Sequence, residues 1–197
     1  FLRHEFLSNL ESSGCVCAET GWEPRHILIW RGASLVGAMP LYLKHHSYGE
    51  YIFDWAWADA YHRHGLNYYP KLSSAIPFTP VSGARLLSDD ASICAMLTSA
   101  ALTLAKETQV SSLHILYPTG IQAESLKSAG FMLRNSTQFH WHNRSYDTFD
   151  TFLAEMSHDK RKRIKQERRK LAEQDIRFEI LEGAEISAAD WQFFNRC

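Results

Sequence analysis

The chain has 197 residues, 45% of them hydrophobic, and a formal net charge of −1 at pH 7. That is enough for one well-filled core, or for one domain and part of another, and the apolar content is that of a globular fold in water. No run of 18 apolar residues suggests a membrane-spanning helix, and no positively charged start leading into an apolar stretch is visible; the expectation is a cytoplasmic chain with no membrane span.

The chain opens at Phe1 and stops at Cys197 inside an aromatic run, and it reads as a piece of something longer. Cys15-x-Cys17 is too tight for a zinc knuckle and no second pair follows. With Cys94 and Cys197 these are expected to be free thiols of a reducing compartment.

Apolar residues at helical spacing before Gly14 predict a helix over residues 1–11, lying on a sheet. Residues 26–30 and 35–43 alternate as two strands around Arg31-Gly32-Ala33-Ser34, a hairpin, and Gly37 and Pro40 mark a bulge or an irregular edge. Residues 48–57 read as another strand. No helix separates these strands, which excludes a doubly wound parallel sheet.

Residues 54–80 have the most unusual composition. Trp55, Trp57, Tyr61, Tyr68, Tyr69 and Phe78 are interleaved with Asp54, Asp59, His62, Arg63, His64 and Lys71. Rings with a few polar groups are what a ligand pocket is built from, and a loop-rich aromatic core has the same composition. Within this stretch residues 68–72 predict a short helix with Pro70 near its first position, and residues 77–80 must be extended.

Residues 81–87 predict a strand. A helix over 90–108 follows, capped by Ser88 or Asp89, with Ile93, Met96, Leu97, Ala100, Ala101 and Leu104 on its buried face. Next come a strand over 113–117 and a helix over 121–129 that offers Ile121, Leu126 and Ala129 to the core. Gly130 takes a left-handed cap, and a long strand over 131–143 should lie beside 113–117. One mixed sheet over 26–143, with the 90–107 helix packed on it, is the expected α+β architecture.

Residues 146–156 predict a helix with Asp147 as N-cap. A second helix over 158–174 is capped by Ser157, and a strand over 176–181 and a helix from 187 follow. Helix, helix and strand after a complete-looking domain place the start of a second domain near residue 145. Residues 160–170 hold eight basic side chains and the single acid Glu167, so +7, and the rest of the chain carries −8 (−1 minus +7). Such a helix is either a solvated face, held by Ile164 and Leu171, or the seat of an anionic partner.

These pieces together resemble a known family. The segments 1–7 (FLRHEFL), 36–44 (VGAMPLYLK), 47–51 (SYGEY), 53–61 (FDWAWADAY), 69–72 (YPKL), 77–81 (PFTPV), 138–141 (QFHW) and 160–169 (KRKRIKQERR) are similar to the bacterial FemAB-like family, predicted N-acyltransferases of peptidoglycan biosynthesis or recognition. The strand, short helix ending in Ala129-Gly130-Phe131, and strand also resemble the C-terminal half of a GNAT-type acyltransferase domain.

The resemblance implies a GNAT-like domain over residues 1–145 and the incomplete opening of a second over 146–197. It implies transfer of an acyl or aminoacyl group to an amine such as that of a peptidoglycan precursor, with acyl-CoA or aminoacyl-tRNA as donor. The glycine-rich loop that holds a CoA pyrophosphate at a helix start is not found in the sequence, where Gly83 and Gly120 are isolated. Either the donor binds outside these residues or it is not CoA. The alternative is a non-catalytic module that recognises a cell-wall precursor or another anionic polymer.

Amine acylation requires a positioned amine that loses a proton and a stabilised oxyanion, with no covalent nucleophile. Asp54, Asp59 and His62 are the candidate bases. Tyr48, Lys71 and Thr79 are candidate donors to a substrate carbonyl or phosphate, and Trp55, Trp57 and Phe78 are candidate substrate-lining rings. Lys160, Arg161 and Arg163 are the candidates for phosphate or tRNA contact through the 158–174 helix. His62/His64 and His140/His142 would each face one side of a strand, but no carboxylate or cysteine follows at ligand spacing, and no metal site is expected.

Overall fold

In the computed structural model, which describes residues 1–174 and 176–197, the chain divides into two compact units, 1–137 and 138–197. The first unit runs α1 (His4–Ser12), β1 (Trp22–Pro24), β2 (Ile27–Arg31), β3 (Ser34–Met39), β4 (Tyr42–Lys44), α2 (Trp55–Arg63), β5 (Lys71–Ser74), α3 (Ala91–Glu107), β6 (Leu113–Ile115) and α4 (Gly120–Ser128). It is a mixed α+β fold. A four-stranded sheet has the order β1-β4-β5-β6, antiparallel except for the parallel β5–β6 pair, and β2 and β3 form a separate antiparallel hairpin.

The two faces of the main sheet differ in chemistry. Side chains alternate along a strand, and register partners on neighbouring strands share a face. Leu43, Leu72 and Leu113 therefore point one way, into a core with Ile93, Leu97 and Ala101 of α3 and with Met39, Leu41 and Leu86. Tyr42, Lys44, Lys71, Ser73 and His114 point the other way. On that side Val16, Trp22, Tyr42, Ala75 and Leu116 form a second apolar cluster, which α1 reaches through Leu10.

The hairpin forms where alternation predicts it and its register shifts between Ile29 and Trp30, opposite the Gly37 region, but the strand expected over 35–43 breaks at Pro40–Leu41, and its two pieces, β3 and β4, lie in different sheets. Gly37 faces α3 so closely that a Cβ would stand 2.4 Å from Ile93 Cγ2. α3 buries Ile93, Leu97, Thr98 and Ala101, while Met96 is exposed. Its N-cap is Asp90, whose Oδ1 accepts from Ser92 N at 2.8 Å, in place of Ser88 or Asp89. α4 buries Leu126 but leaves Ile121 exposed, and Gly130 takes φ +92 after it.

Five expected strands or helices are absent. Residues 48–54 are irregular, and 55–63 form α2 instead of continuing a strand. Residues 68–72, expected as a helix, contain the cis Tyr69-Pro70 bond and run into β5. Residues 81–87 are irregular apart from an Ala38–Leu87 bridge. Residues 131–143 and 176–181 are not strands, and β6 pairs only with β5 among the described residues. Alternation prescribes two faces but not the neighbouring strand whose hydrogen bonds make a ladder. The single sheet over 26–143 is therefore two sheets.

The second unit carries α5 (Phe149–Ala154), α6 (His158–Ala172), a 3-10 turn at Gly183–Glu185 and α7 (Ala188–Arg196). Thr148, not Asp147, caps α5, and Ser187 caps α7. Lys165 bonds Asp150 at 2.8 Å and the Arg168 guanidinium lies 4.5 Å from the centre of the Phe149 ring, which ties α6 to α5. Among the described residues no helix is long and apolar enough to cross a membrane.

Candidate functional site

The polar face of the main sheet is covered by the segment between β4 and α2, residues 45–54. That segment sends Ser47, Glu50 and Asp54 inward. Lys71 Nζ donates to Ser47 Oγ at 2.8 Å and to one oxygen each of Glu50 and Asp54 at 2.7 Å, and all three charged side chains are fully buried. The Tyr68 hydroxyl donates to the same Asp54 oxygen at 2.7 Å. The remaining carboxylate oxygens, Glu50 Oε1 and Asp54 Oδ1, are buried without a hydrogen bond, as is Ser73 Oγ on the same sheet face.

Lys44 is the second buried lysine of this cluster. Its Nζ lies 3.4 Å from the centre of the Trp22 ring and 3.4 Å from the Tyr48 carbonyl oxygen. Burial is the main cause that brings its pKa down to about 7; Glu50 works against this and Lys71 with it. Burial also lowers His114 to about 4, helped by Lys71 and opposed by Asp54. For Asp54 burial pushes upward, but hydrogen bonds from Lys71, Tyr68 and Ser47 outweigh it and leave the carboxyl at about 2. Sequence reasoning passed over Lys44, Glu50 and His114. Lys44 and Lys71 stand at the ends of two short strands, and what brings them together is the β4–β5 register.

The candidates chosen from sequence fall into separate places. Asp54 and Lys71 belong to the buried cluster. Asp54 is also the residue before α2, and its side chain makes no cap bond because Lys71 and Tyr68 hold it. Trp55, Asp59 and His62 follow at helical spacing on one exposed face of α2, with Asp59 paired to Arg63 at 2.5 Å. Tyr48, Trp55 and Trp57 are exposed by 72%, 62% and 51%, so they are rings open to a partner and not core. Phe78 takes φ +58 and its ring packs on Trp22 at 5.6 Å, while the Thr79 hydroxyl donates to the Pro77 carbonyl at 3.0 Å.

In the second unit Arg161 donates to the Ala154 carbonyl at 3.1 Å and Arg163 pairs with Glu167 at 2.9 Å, whereas Lys160 is exposed. His62 and His64 lie at the end of a helix, where residues two apart do not face one another, and the His140 and His142 rings stack at 6.3 Å. Among the described residues no three of His, Cys, Asp and Glu are grouped to hold a metal ion.

No curated protein matches the chain, and no solved structure does. A family described as peptidoglycan biosynthesis/recognition matches it over residues 1–197. A match that spans every residue settles the lineage: the chain belongs to the FemAB-like family, whose part is in the biosynthesis or recognition of peptidoglycan.

Proposed function

We propose that the protein transfers an acyl or aminoacyl group to an amine of a peptidoglycan precursor, and that the first unit binds the acceptor on α2. The observation that carries this reading is the anchoring of α2. Asp54 is locked by Lys71 and Tyr68 inside the sheet, and the next turns of helix present Trp55, Asp59 and His62 on one open face. A base on a helix whose start is pinned by a buried ion cluster has the rigidity that proton transfer demands. In this reading Trp55 stacks on the acceptor, Asp59 holds its ammonium group and His62 takes one proton from it; the free amine then attacks the donor carbonyl, the amide bond forms as the C–O or C–S bond to the donor breaks, and the second amine proton leaves with the tRNA hydroxyl or the CoA thiol. Tyr48 is a further exposed ring of the same unit, whereas Trp57, two residues from Trp55, leaves α2 on another side. Lys160, Arg161 and Arg163 of α6 attract the phosphates of the donor, aminoacyl-tRNA or acyl-CoA. Asp54, with a carboxyl held near 2, serves as an anchor and not as the base.

A recognition role without chemistry is the second reading. It is favoured by the exposed rings Tyr48, Phe53, Trp55 and Trp57, which can stack on sugar rings with no base at all. The deciding experiment offers the full chain a precursor amine with acyl-CoA and with aminoacyl-tRNA in turn, and looks for the acylated product by mass. Product with either donor supports transfer. Saturable precursor binding with no product from either donor supports recognition.

A further inference from the structure

Lys44 and Lys71 are register partners on β4 and β5, so their side chains leave the same sheet face from adjacent strands. Like charges in that relation repel, the more so where burial lowers the dielectric. The compensating charge comes from one segment. Glu50 and Asp54 each give Lys71 one oxygen at 2.7 Å and keep the other buried and unbonded, while Lys44 has only the Tyr48 carbonyl at 3.4 Å. Two carboxylates thus meet two lysines but saturate only one of them.

The segment that supplies them is fastened chiefly by side chains: besides the bonds to Lys71, Ser47 Oγ meets the Tyr69 hydroxyl at 2.9 Å and His46 Nε2 meets Thr20 O at 3.0 Å. It makes no strand ladder. Phe78 N donates to Gly49 O at 3.1 Å, the Tyr117 hydroxyl to Tyr51 O at 2.7 Å, and the Arg134 guanidinium to Ile52 O at 3.2 Å. Tyr51 and Phe53 hold φ of 59 and 48, left-handed values unfavourable for side chains of their size. The outward rings Tyr48, Tyr51 and Phe53 are already exposed, so moving the segment aside uncovers the lysines without drawing those rings out of a core.

We propose that the Lys44–Lys71 pair is a binding site for a phosphate or diphosphate group, closed in this structure by segment 45–54, whose Glu50 and Asp54 occupy the place of the anion. Lysine is a point-charge phosphate ligand that needs no fixed fork geometry. Ser73 Oγ, two residues along β5 and unbonded, adds a neutral donor on the same face. A bound dianion would also hold Lys44 charged, where burial alone brings it down to about 7. The cluster shares Asp54 with the anchor of α2, so binding would loosen that anchor, whereas failure of this proposal would leave the anchored helix and the transfer reading as they stand.

The test is titration of the full chain with inorganic pyrophosphate, with amide hydrogen exchange to place the effect. Wild type should bind saturably, Glu50→Gln should bind about tenfold more tightly because one competing charge is gone, and Lys44→Met about tenfold more weakly. Exchange should rise across residues 47–54 on binding. Lys71→Met strands two buried carboxylates and can unfold the chain, so Lys44→Met, which loses one long bond, is the deciding variant. Parallel titrations with a nucleoside diphosphate and with phosphatidic-acid vesicles assign the anion to a soluble ligand or to a lipid headgroup, according to which displaces pyrophosphate. Two results would overturn the proposal: no saturable binding by either wild type or Glu50→Gln, or binding that Lys44→Met leaves unchanged and Lys162→Gln/Lys170→Gln on α6 removes.

Discussion

Lys44 and Lys71 stand directly opposite one another on adjacent antiparallel strands, and both are fully buried. One is held by two carboxylates and the other lies against an indole ring, which gives two identical side chains opposite energetic roles.

Lys44 should make stability depend on alkaline pH. Its pKa is 10.5 in an open chain and about 7 in the fold, so between those values the unfolded state binds the extra proton. Stability then rises as pH increases from about 7 toward 10.5, and the penalty is largest below 7. Lys44→Met should gain on the order of 1 kcal/mol or more at pH 7 and flatten the rise, as read by urea unfolding at pH 7, 8 and 9. A variant no more stable than wild type at pH 7, with the slope intact, would remove Lys44 as its source.

Lys71 should behave in the opposite sense. Removing one partner of a buried ion cluster leaves uncompensated charge and costs roughly 3–5 kcal/mol. Lys71→Met should lose that much in urea unfolding, and adding Glu50→Gln to it should recover a part, because one stranded charge is then neutral. If the second substitution deepens the loss, Glu50 is not a partner of Lys71.

Gly49 is required by two independent constraints. It holds φ +79, and a Cβ there would stand 2.6 Å from Phe78 Cδ1 and 3.1 Å from Trp22 Cζ2. Gly49→Ala should destabilise by about 1–3 kcal/mol, measured by thermal unfolding, and a crystal structure of the variant should show the Phe78 ring displaced. An unchanged melting temperature would mean that the segment shifts freely.

Much of this architecture is legible in the residues. The β2–β3 hairpin announces itself by alternation around a glycine loop, α3 by its apolar stripe, and α6 by its charge, although Ser157 before it makes no side-chain cap bond. The segment between β4 and α2 is not legible, because Phe53, Trp55 and Trp57 alternate like a strand while 55–63 form a helix. The site was half legible. The mixture of rings and charges in 54–80 points to Asp54 and Lys71, but their burial depends on register, and register joins residues 44 and 71 across a distance that no local pattern spans. Lys44 therefore reads as the end of an apolar strand until its neighbour across the sheet is known.

The outward cations of α6 should confer salt-sensitive binding if they meet phosphates. Each phosphate neutralised on a single-stranded nucleic acid contributes about −0.7 to the slope of log affinity against log salt. Lys160→Gln/Arg163→Gln should make that slope shallower by about 1–1.5 for an RNA ligand, on the same single-strand figure. Arg161 should matter less, since it already serves the Ala154 carbonyl. Equal affinity and equal slope for variant and wild type would return α6 to the role of a solvated helix.

The open face of α2 is where acceptor binding and proton removal are tested most directly. The measurement is kcat/KM for acylation of a peptidoglycan-precursor amine by the full chain, compared among wild type, His62→Gln, Asp59→Asn and a control, Lys106→Gln, at the exposed end of α3. Loss of a general base typically costs on the order of 10²-fold or more, so His62→Gln should fall by that factor, Asp59→Asn by less through KM, and the control should not change. Full activity in His62→Gln and Asp59→Asn, in a protein that acylates the precursor, would contradict the placement of the acceptor on α2.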